Sequence, residues 1–133
     1  MKNNTGKKLE KLLETTARLR SPEGCIWDRQ QDHSSLIKYL EEESLEVIEA
    51  INQKDMNSLK DELGDLLFQV VFHCQIAKEN GFFNMGDVIQ TLEEKLIRRH
   101  PHVFGNVKAE TVEEILDNWN KIKQQEKKGK ISQ

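Results

Sequence analysis

Leucine, isoleucine and valine recur every three or four residues along most of this chain, which is the period of an amphipathic helix. Alternation typical of strands is scarce. We predict five helices, at about residues 7–20, 34–52, 57–80, 84–99 and 111–123. The two prolines, Pro22 and Pro101, fall between these segments, where they interrupt no helix. The pattern therefore predicts an all-α bundle of about five helices.

The third predicted helix changes character along its length. Its first half is amphipathic, whereas the half from Leu66 to Ala77 is apolar nearly all round. A helix that is apolar on every side has to be buried on every side. Because the domain is small, we expect a partner subunit to cover part of this helix. The expected fold is a four-helix core completed by oligomerisation, as a homodimer or higher homo-oligomer.

The size and composition of the chain narrow its class. Its 133 residues predict a single domain over residues 1–133, with a core at about 7–123 and a frayed polar tail at 124–133. The net charge of −3 gives no reason to expect nucleic acid as a partner. No apolar run approaches the ~18 residues that cross a bilayer, and the first residues lack the apolar core of a signal peptide. We therefore expect no membrane partner and a cytoplasmic location.

Two acidic clusters lie on consecutive predicted helices. Glu42, Glu43 and Glu46 belong to the second helix, and Glu62 and Asp65 to the third. Each spacing places its acids about one turn apart, on roughly one side of the helix. If the two helices pack antiparallel, the acids converge and repel one another unless a cation lies among them. Carboxylate oxygens favour Mg²⁺, with Mn²⁺ as a substitute.

A solvated acidic surface is the plainest alternative for these acids. Three features favour a metal site: Glu43 lies at the edge of an apolar stripe, a second acid pair follows at matching spacing, and its helix soon becomes apolar on all sides. Unpaired charge near a core is costly. A di-iron site would need Glu-x-x-His pairs, and the sequence has none. Spacing alone leaves the metal site and the solvated surface both open.

A basic group lies at the end of the fourth predicted helix, in Lys95, Arg98 and Arg99. Cations at a helix C-terminus often serve only the helix dipole and solubility. The functional alternative is a phosphate clamp, because arginine offers a two-pronged fork and lysine a point charge. Separate acidic and basic regions suit a metal bound to a phosphorylated ligand.

The two tryptophans differ in context. Trp119 falls on the apolar stripe of the fifth helix, which favours a place in the core. Trp27 lies in a predicted loop beside Asp28. An aromatic side chain in a loop can stack on a nucleotide base, with Asp28 or Gln31 supplying polar contacts.

Taken together, these motifs resemble those of the MazG nucleoside triphosphate pyrophosphohydrolases. The resemblance is carried by Glu42-Glu43-x-x-Glu46, by Glu62-Leu-Gly-Asp-Leu-Leu-Phe-Gln-Val-Val-Phe-His73, by Lys95-Leu-Ile-Arg-Arg-His-Pro-His-Val-Phe-Gly105, by Gly24-Cys-Ile-Trp-Asp28 and by Trp119-Asn-Lys-Ile-Lys123. It covers about residues 9–127, and the combination is far more specific than any one motif.

The resemblance implies Mg²⁺-dependent hydrolysis of NTPs or dNTPs between the α and β phosphates, giving a nucleoside monophosphate and pyrophosphate. It also implies subunits that pair to complete the sites. The implied metal ligands are Glu43, Glu46, Glu62 and Asp65. Glu42 would be a further ligand or orient water, and Glu42 or Glu46 would take the proton of the attacking water. The implied substrate-binding residues are Trp27, Asp28, Lys95, Arg98, Arg99, Trp119 and Lys123.

Two departures from the family pattern bear on activity. Ile26 stands where the family loop commonly has proline. Many relatives also carry two tandem modules, which need not be equally active, and the His100–Gly105 loop is most like that of the first. A catalytically silent helical module that binds nucleotide or a partner protein is therefore the alternative hypothesis, and a purely structural bundle is the third.

Overall fold

The computed structural model describes the backbone of residues 4–131 and the side chains of residues 4–129. Over these residues it contains helices and no strand, which confirms the all-α prediction. The helices are α1 (Thr5–Leu19), α2 (Ile26–Gln30), α3 (Ile37–Asn52), α4 (Met56–Glu79), α5 (Met85–Arg99), α6 (Pro101–Phe104) and α7 (Val112–Ile131). The prediction that the first residues lack the apolar core of a signal peptide includes residues 1–3, which lie outside the described residues.

Five of these helices, α1, α3, α4, α5 and α7, correspond to the five predicted from periodicity. The two short ones, α2 and α6, replace segments predicted as loops. A helix of one turn carries too few residues to show an apolar period. In α6 the proline stands at the first helical position, where its fixed φ favours the helix and its missing N–H costs nothing.

The last helix is longer than predicted. Residues from Gln124 onward were expected to fray, but α7 continues to Ile131. Glutamine, glutamate and lysine favour helix, and six of the eight residues 124–131 are of these types. Glu126 also forms ion pairs with Arg98 and Arg99 of α5, which fix α7 beyond its apolar part. Residues 132–133 of the predicted tail lie outside the described residues.

The chain divides into two compact units, residues 1–85 and 86–133. The first unit contains α1 to α4, and α4 packs against both α3 and α1. The second contains almost all of α5, together with α6 and α7. The single domain that length predicts stays a prediction.

The core of the first unit lies between α4 and the start of α3. Leu36, Phe72 and Ile76 form its buried centre, and Tyr39 and Phe68 pack against it. The ends of α1 and α4 are joined by Arg20, whose guanidinium donates to both carboxylate oxygens of Glu79, at 2.8 and 3.0 Å. Arg20 also donates to the carbonyl oxygens of Asp28 and Gln31, so it anchors α2 as well.

The second half of α4 is only partly covered. Val71, Phe72 and Cys74 are buried, but the side chains of Leu67 and Val70 are 41% and 38% exposed. On α3, large apolar side chains are exposed too: Leu45, Ile48 and Ile51. The described part of one chain thus leaves apolar surface on α4, which was expected to contact a partner, and also on α3. Among the described residues, none of the helices combines the length and the hydropathy needed to cross a membrane.

Candidate metal and nucleotide site

A tight turn places α3 and α4 side by side. Only residues 53–55 separate them, and Lys54 adopts a left-handed backbone with φ of 57°. Asp55 then starts α4, because its Oδ1 accepts hydrogen bonds from the backbone N–H groups of Asn57 and Ser58, at 3.1 and 3.2 Å. This is the usual role of aspartate at a helix N-cap. The short connection makes the two helices antiparallel neighbours, as the convergence of the acids requires.

Four of the five predicted acids meet across this helix pair. Glu43 and Glu46 from α3 and Glu62 and Asp65 from α4 each offer an oxygen, and these oxygens all lie within 4.8 Å of one another. Glu42 is exposed and is not part of this cluster. We call these four residues the acidic cluster.

The acidic cluster is electrostatically strained. Partial burial raises the pKa of Glu43, and the charges of Glu46 and Asp65 raise it further. A hydrogen bond to Glu46, partial burial and the charges of Glu46 and Asp65 raise the pKa of Glu62 to about 7. Among the described residues, Oε2 of Glu43 and Oε2 of Glu62 are buried without a hydrogen-bond partner. Like charges raise a carboxyl pKa in this way when no cation compensates them.

The donor set fits a hard divalent cation. Mg²⁺ binds oxygens at about 2.0–2.1 Å, so two ligands on opposite sides of one ion are about 4.2 Å apart. The oxygens of the acidic cluster spread over at most 4.8 Å, so side-chain shifts below 1 Å bring them to that distance. Carboxylates without nitrogen or sulfur are also the set that Mg²⁺ and Mn²⁺ prefer.

Two cavities lie along α3, and one of them is beside this cluster. One, of about 290 Å³, is lined by Glu46 and Glu62 of the cluster together with Glu49, Gln53 and Ser58. It leaves open space directly against two of the candidate ligands. The other, of about 510 Å³, lies at the start of α3 and has the size of a small-molecule site.

Trp27 lines the larger cavity, which we call the Trp27 pocket. Its indole is 46% exposed and meets the Tyr39 ring edge-on, with centroids 5.5 Å apart. Gln31 fixes this wall: its Nε2 donates to the carbonyl of Trp27, and its Oε1 accepts from the hydroxyl of Ser35. Lys38 also lines the pocket, with its ammonium 5.0 Å from the Tyr39 ring centroid.

Asp28 does not line the Trp27 pocket, although the sequence paired the two residues. Its side chain is 9% exposed, and its carbonyl accepts from Arg20. Successive residues on a helix point about 100° apart, so the one-turn helix α2 directs Trp27 and Asp28 to different sides. Lys38 and Tyr39 were missed, because they read as ordinary members of an amphipathic helix.

In the second unit, the two predicted arginines bind a carboxylate. Arg98 Nε donates to Oε2 of Glu126 at 2.6 Å, and Arg99 Nη2 donates to Oε1 at 2.8 Å. The hydrogen bonds from Arg99 and Arg98 lower the pKa of Glu126 to about 2. Two guanidiniums directed at one carboxylate form an oxyanion-binding pair. Glu126 escaped prediction because it lies in the segment that was expected to fray.

Two further candidates of this unit, Trp119 and Lys123, lie together on α7. The ammonium of Lys123 is 5.8 Å from the ring centroid of Trp119, and the ring of His100 meets that indole edge-on at 5.2 Å. Trp119 Nε1 is buried and has no hydrogen-bond partner within the described part of the chain. Lys95, by contrast, forms none of the ion pairs seen among the described residues.

The chain is similar to known proteins over most of its length. Residues 31–104 match the family model described as the MazG nucleotide pyrophosphohydrolase domain. The chain is 55% identical over 123 residues to the nucleoside triphosphate pyrophosphohydrolase/pyrophosphatase MazG of Thermotoga maritima, covering 92% of this chain and 47% of that protein. It is 46% identical over 120 residues to the nucleoside triphosphate pyrophosphohydrolase of Escherichia coli K12, covering 90% of this chain and 46% of that protein.

The fold has a counterpart among solved structures as well. The crystal structure of a mazG-related protein from Thermotoga maritima superposes with a TM-score of 0.70 at 30% identity, covering 86% of this chain and 98% of that one. The chain spans about half the length of the two sequence relatives. The matched family segment includes the acidic cluster and the Lys95–Arg99 region, whereas Trp27, Trp119 and Lys123 lie outside it.

Proposed function

This chain belongs to the MazG nucleotide pyrophosphohydrolase family, and we propose on that basis that it is a Mg²⁺-dependent hydrolase of NTPs or dNTPs. Cleavage falls between the α and β phosphates and gives a nucleoside monophosphate and pyrophosphate. The acidic cluster is the observation that carries the proposal, because four converging carboxylates without a cation are a costly arrangement to keep.

The four members of the acidic cluster hold the cation in this proposal. Bound Mg²⁺ supplies charge neutralisation for the phosphates and lowers the pKa of water. Glu46 takes a proton from the attacking water, because it lies in the cluster and beside the smaller cavity. Glu42, exposed and next to Glu43, orients that water or shares in accepting its proton.

The phosphates and the base have separate binding groups. Lys95, Arg98 and Arg99 bind phosphate oxygens, and the hold of both arginines on the Glu126 carboxylate supports this role. Trp27 stacks on the base in the Trp27 pocket. Trp119 and Lys123 are further nucleotide-binding residues in this proposal. Asp28 contributes through the backbone of α2 rather than by direct contact, since its side chain is buried.

The assembly in this proposal is a homodimer or higher homo-oligomer. Its support is the apolar surface left on α3 and α4, which includes Leu45, Ile48 and Leu67. Light scattering after gel filtration measures this directly, and a monomer at micromolar concentration contradicts it. A nucleoside triphosphate substrate accords with the cytoplasmic location expected from the sequence.

Product analysis tests the reaction. The purified chain is incubated with each of the eight common nucleotides in Mg²⁺, in Mn²⁺ and in chelator, and the products are separated by ion exchange. Monophosphate and pyrophosphate are expected only with metal, and Asp65→Asn should abolish them with the fold retained. Glu41→Gln is the matched control, since Glu41 lies on α3 outside the acidic cluster.

Each other outcome has a definite meaning. Nucleoside diphosphate and phosphate as products would place the cleavage between the β and γ phosphates, which contradicts the proposal. No product from any nucleotide contradicts the proposal. Thermal stabilisation by nucleotide without turnover would then identify the chain as the silent binding module.

A further inference from the structure

Gln69 is the most deeply buried amide of the first unit. Its side chain is only 8% exposed, and within residues 4–131 its Oε1 has no hydrogen-bond partner. Buried side-chain polar atoms in folded proteins nearly always have a partner. A buried oxygen without a partner in the largely apolar second half of α4 requires an explanation.

The pairing of α3 with α4 places Gln69 relative to the site. Glu43 of α3 faces Asp65 of α4 within the acidic cluster, and farther along Leu36 packs with Phe72 in the core. A step of seven residues back along α3, from Glu43 to Leu36, therefore corresponds to a step of seven residues forward along α4, from Asp65 to Phe72. In this antiparallel register Gln69 lies at the level of Tyr39.

This level lies between the acidic cluster and the core. Gln69 follows Asp65 by four residues, so the two share a face of α4 and are about 6 Å apart along its axis. Tyr39 lines the Trp27 pocket and contacts the Trp27 indole. A ligand that reaches from the acidic cluster to the Trp27 pocket passes the level of Gln69.

We propose that Gln69 determines nucleoside specificity by accepting, through its unpartnered Oε1, a hydrogen bond from the nucleoside part of the substrate. This inference rests on the proposed function, which brings the phosphates to the acidic cluster and the base to Trp27. The group recognised is an N–H or O–H donor, because an amide oxygen only accepts. The base supplies such donors through its exocyclic amino group or its ring N–H, and the sugar through the ribose hydroxyls.

The binding test uses nucleoside monophosphates, which cannot undergo the proposed cleavage. Calorimetry compares AMP, CMP, GMP and UMP with analogues that lack the exocyclic amino group, the ring N–H, the 2′-hydroxyl or the 3′-hydroxyl. Wild-type protein should bind the analogue that lacks the recognised donor at least about 10-fold more weakly than its parent, since a site built around a hydrogen bond rejects ligands that cannot make it. The analogue that loses affinity identifies the base or the sugar as the source.

Gln69→Met removes the amide while nearly keeping its volume. In this variant, the parent nucleotide and the analogue that lacks the recognised donor should bind equally. The Tm should stay the same or rise, because no hydrogen bond within the protein is lost. Gln75→Met is the matched control on α4: the Gln75 amide donates to Glu79, so Tm should fall while the binding ratios stay as in wild type.

The outcomes separate this inference from the proposed function. If Gln69→Met keeps every wild-type binding ratio, or if no analogue is discriminated by wild-type protein, the inference is overturned. A fall in Tm as large as that of Gln75→Met also overturns it, since Oε1 would then have a partner inside the protein. If the protein discriminates among nucleoside monophosphates but hydrolyses no nucleoside triphosphate, the proposed function is refuted and the role of Gln69 in nucleoside recognition is retained.

Discussion

Neutralising Glu43 should make the metal-free protein more stable and the metal-bound protein less stable. In Glu43→Gln the side chain keeps its size and loses its charge. Partial burial raises the pKa of Glu43, and the charges of Glu46 and Asp65, which repel it when no cation is present, raise it further. With a cation, the same carboxylate becomes a ligand. The stabilities of wild type and variant should therefore change order when metal is added.

The size of the effect follows from the spacing. The candidate ligand oxygens lie within 4.8 Å of one another. Two unit charges about 5 Å apart repel by about 0.8 kcal/mol in water and about 3 kcal/mol at an effective dielectric constant of 20. Glu43 is only partly buried and salt screens the pairs, so about 1–2 kcal/mol of relief is expected. For a chain of this size that is a rise in Tm of about 3–8 °C.

Metal acts in the opposite direction. A ligand at 100 times its Kd stabilises the protein that binds it by about 2.7 kcal/mol. Wild-type protein should gain this amount at saturating Mg²⁺, whereas Glu43→Gln, with one ligand fewer, should gain much less. Wild type then becomes the more stable of the two.

Thermal melts in chelator measure the stability order without metal, and melts across a Mg²⁺ titration measure the stability order with metal. They are best done near pH 8, because the pKa of Glu62 is about 7 and the acidic cluster carries its full charge only above it. Glu41→Gln controls for loss of a helix charge outside the cluster and should follow wild type in both conditions. A lower Tm of Glu43→Gln in chelator would refute the repulsion argument. Equal Mg²⁺ stabilisation of the two proteins would refute the role of Glu43 as a ligand.

Three further predictions follow from single contacts. The ion pairs of Glu126 hold the pKa of its carboxyl at about 2, below its ordinary value of 4.5. These ion pairs therefore stabilise the protein fully above pH 4.5, and the stabilisation is lost as the pH falls toward 2. In chemical denaturation, Glu126→Gln should be less stable than wild type at pH 7, and this difference should shrink in acid. Burial and the nearby charge of His33 lower the pKa of His73, and the Nδ1 atoms of the two rings lie 2.7 Å apart. The stability of the protein should therefore fall as the pH drops below about 6.5. His73→Gln should flatten this pH dependence in thermal melts from pH 8 to pH 5. Trp27→Ala should weaken nucleotide binding by about 10-fold in calorimetry with Mg²⁺ affinity unchanged, and equal nucleotide affinity would remove Trp27 from the base site.

The long helices and the acidic cluster were accessible from sequence because both follow from periodicity. Repeats of three and four residues place Glu43 and Glu46 on one face of α3 and Glu62 and Asp65 on one face of α4. A three-residue turn then forces the two faces together. Nothing beyond local spacing and a short connection was needed.

What escaped prediction depends on contacts between distant segments. Glu126 forms an ion pair with Arg98, which lies 28 residues earlier in the sequence, and no local sequence pattern predicts such a contact. The burial of Asp28 follows from its place on a one-turn helix and the anchoring of that helix by Arg20. Gln69 did leave a signal that could have been used, since it is one of only three polar residues, with His73 and Gln75, in the stretch from Leu66 to Ala77.

The order of residues along the α3–α4 pair explains how one small helical hairpin holds both a core and a cluster of acids. The acids lie near the turn, and the apolar centre formed by Leu36 and Phe72 lies about two helical turns beyond Asp65. Burial at the apolar end stabilises the pair and so offsets the repulsion at the acidic end. The cap that Asp55 provides fixes where α4 begins. A slip of one residue would rotate the α4 side chains by about 100° and separate the acids, so the turn and its cap define the site as much as the carboxylates do.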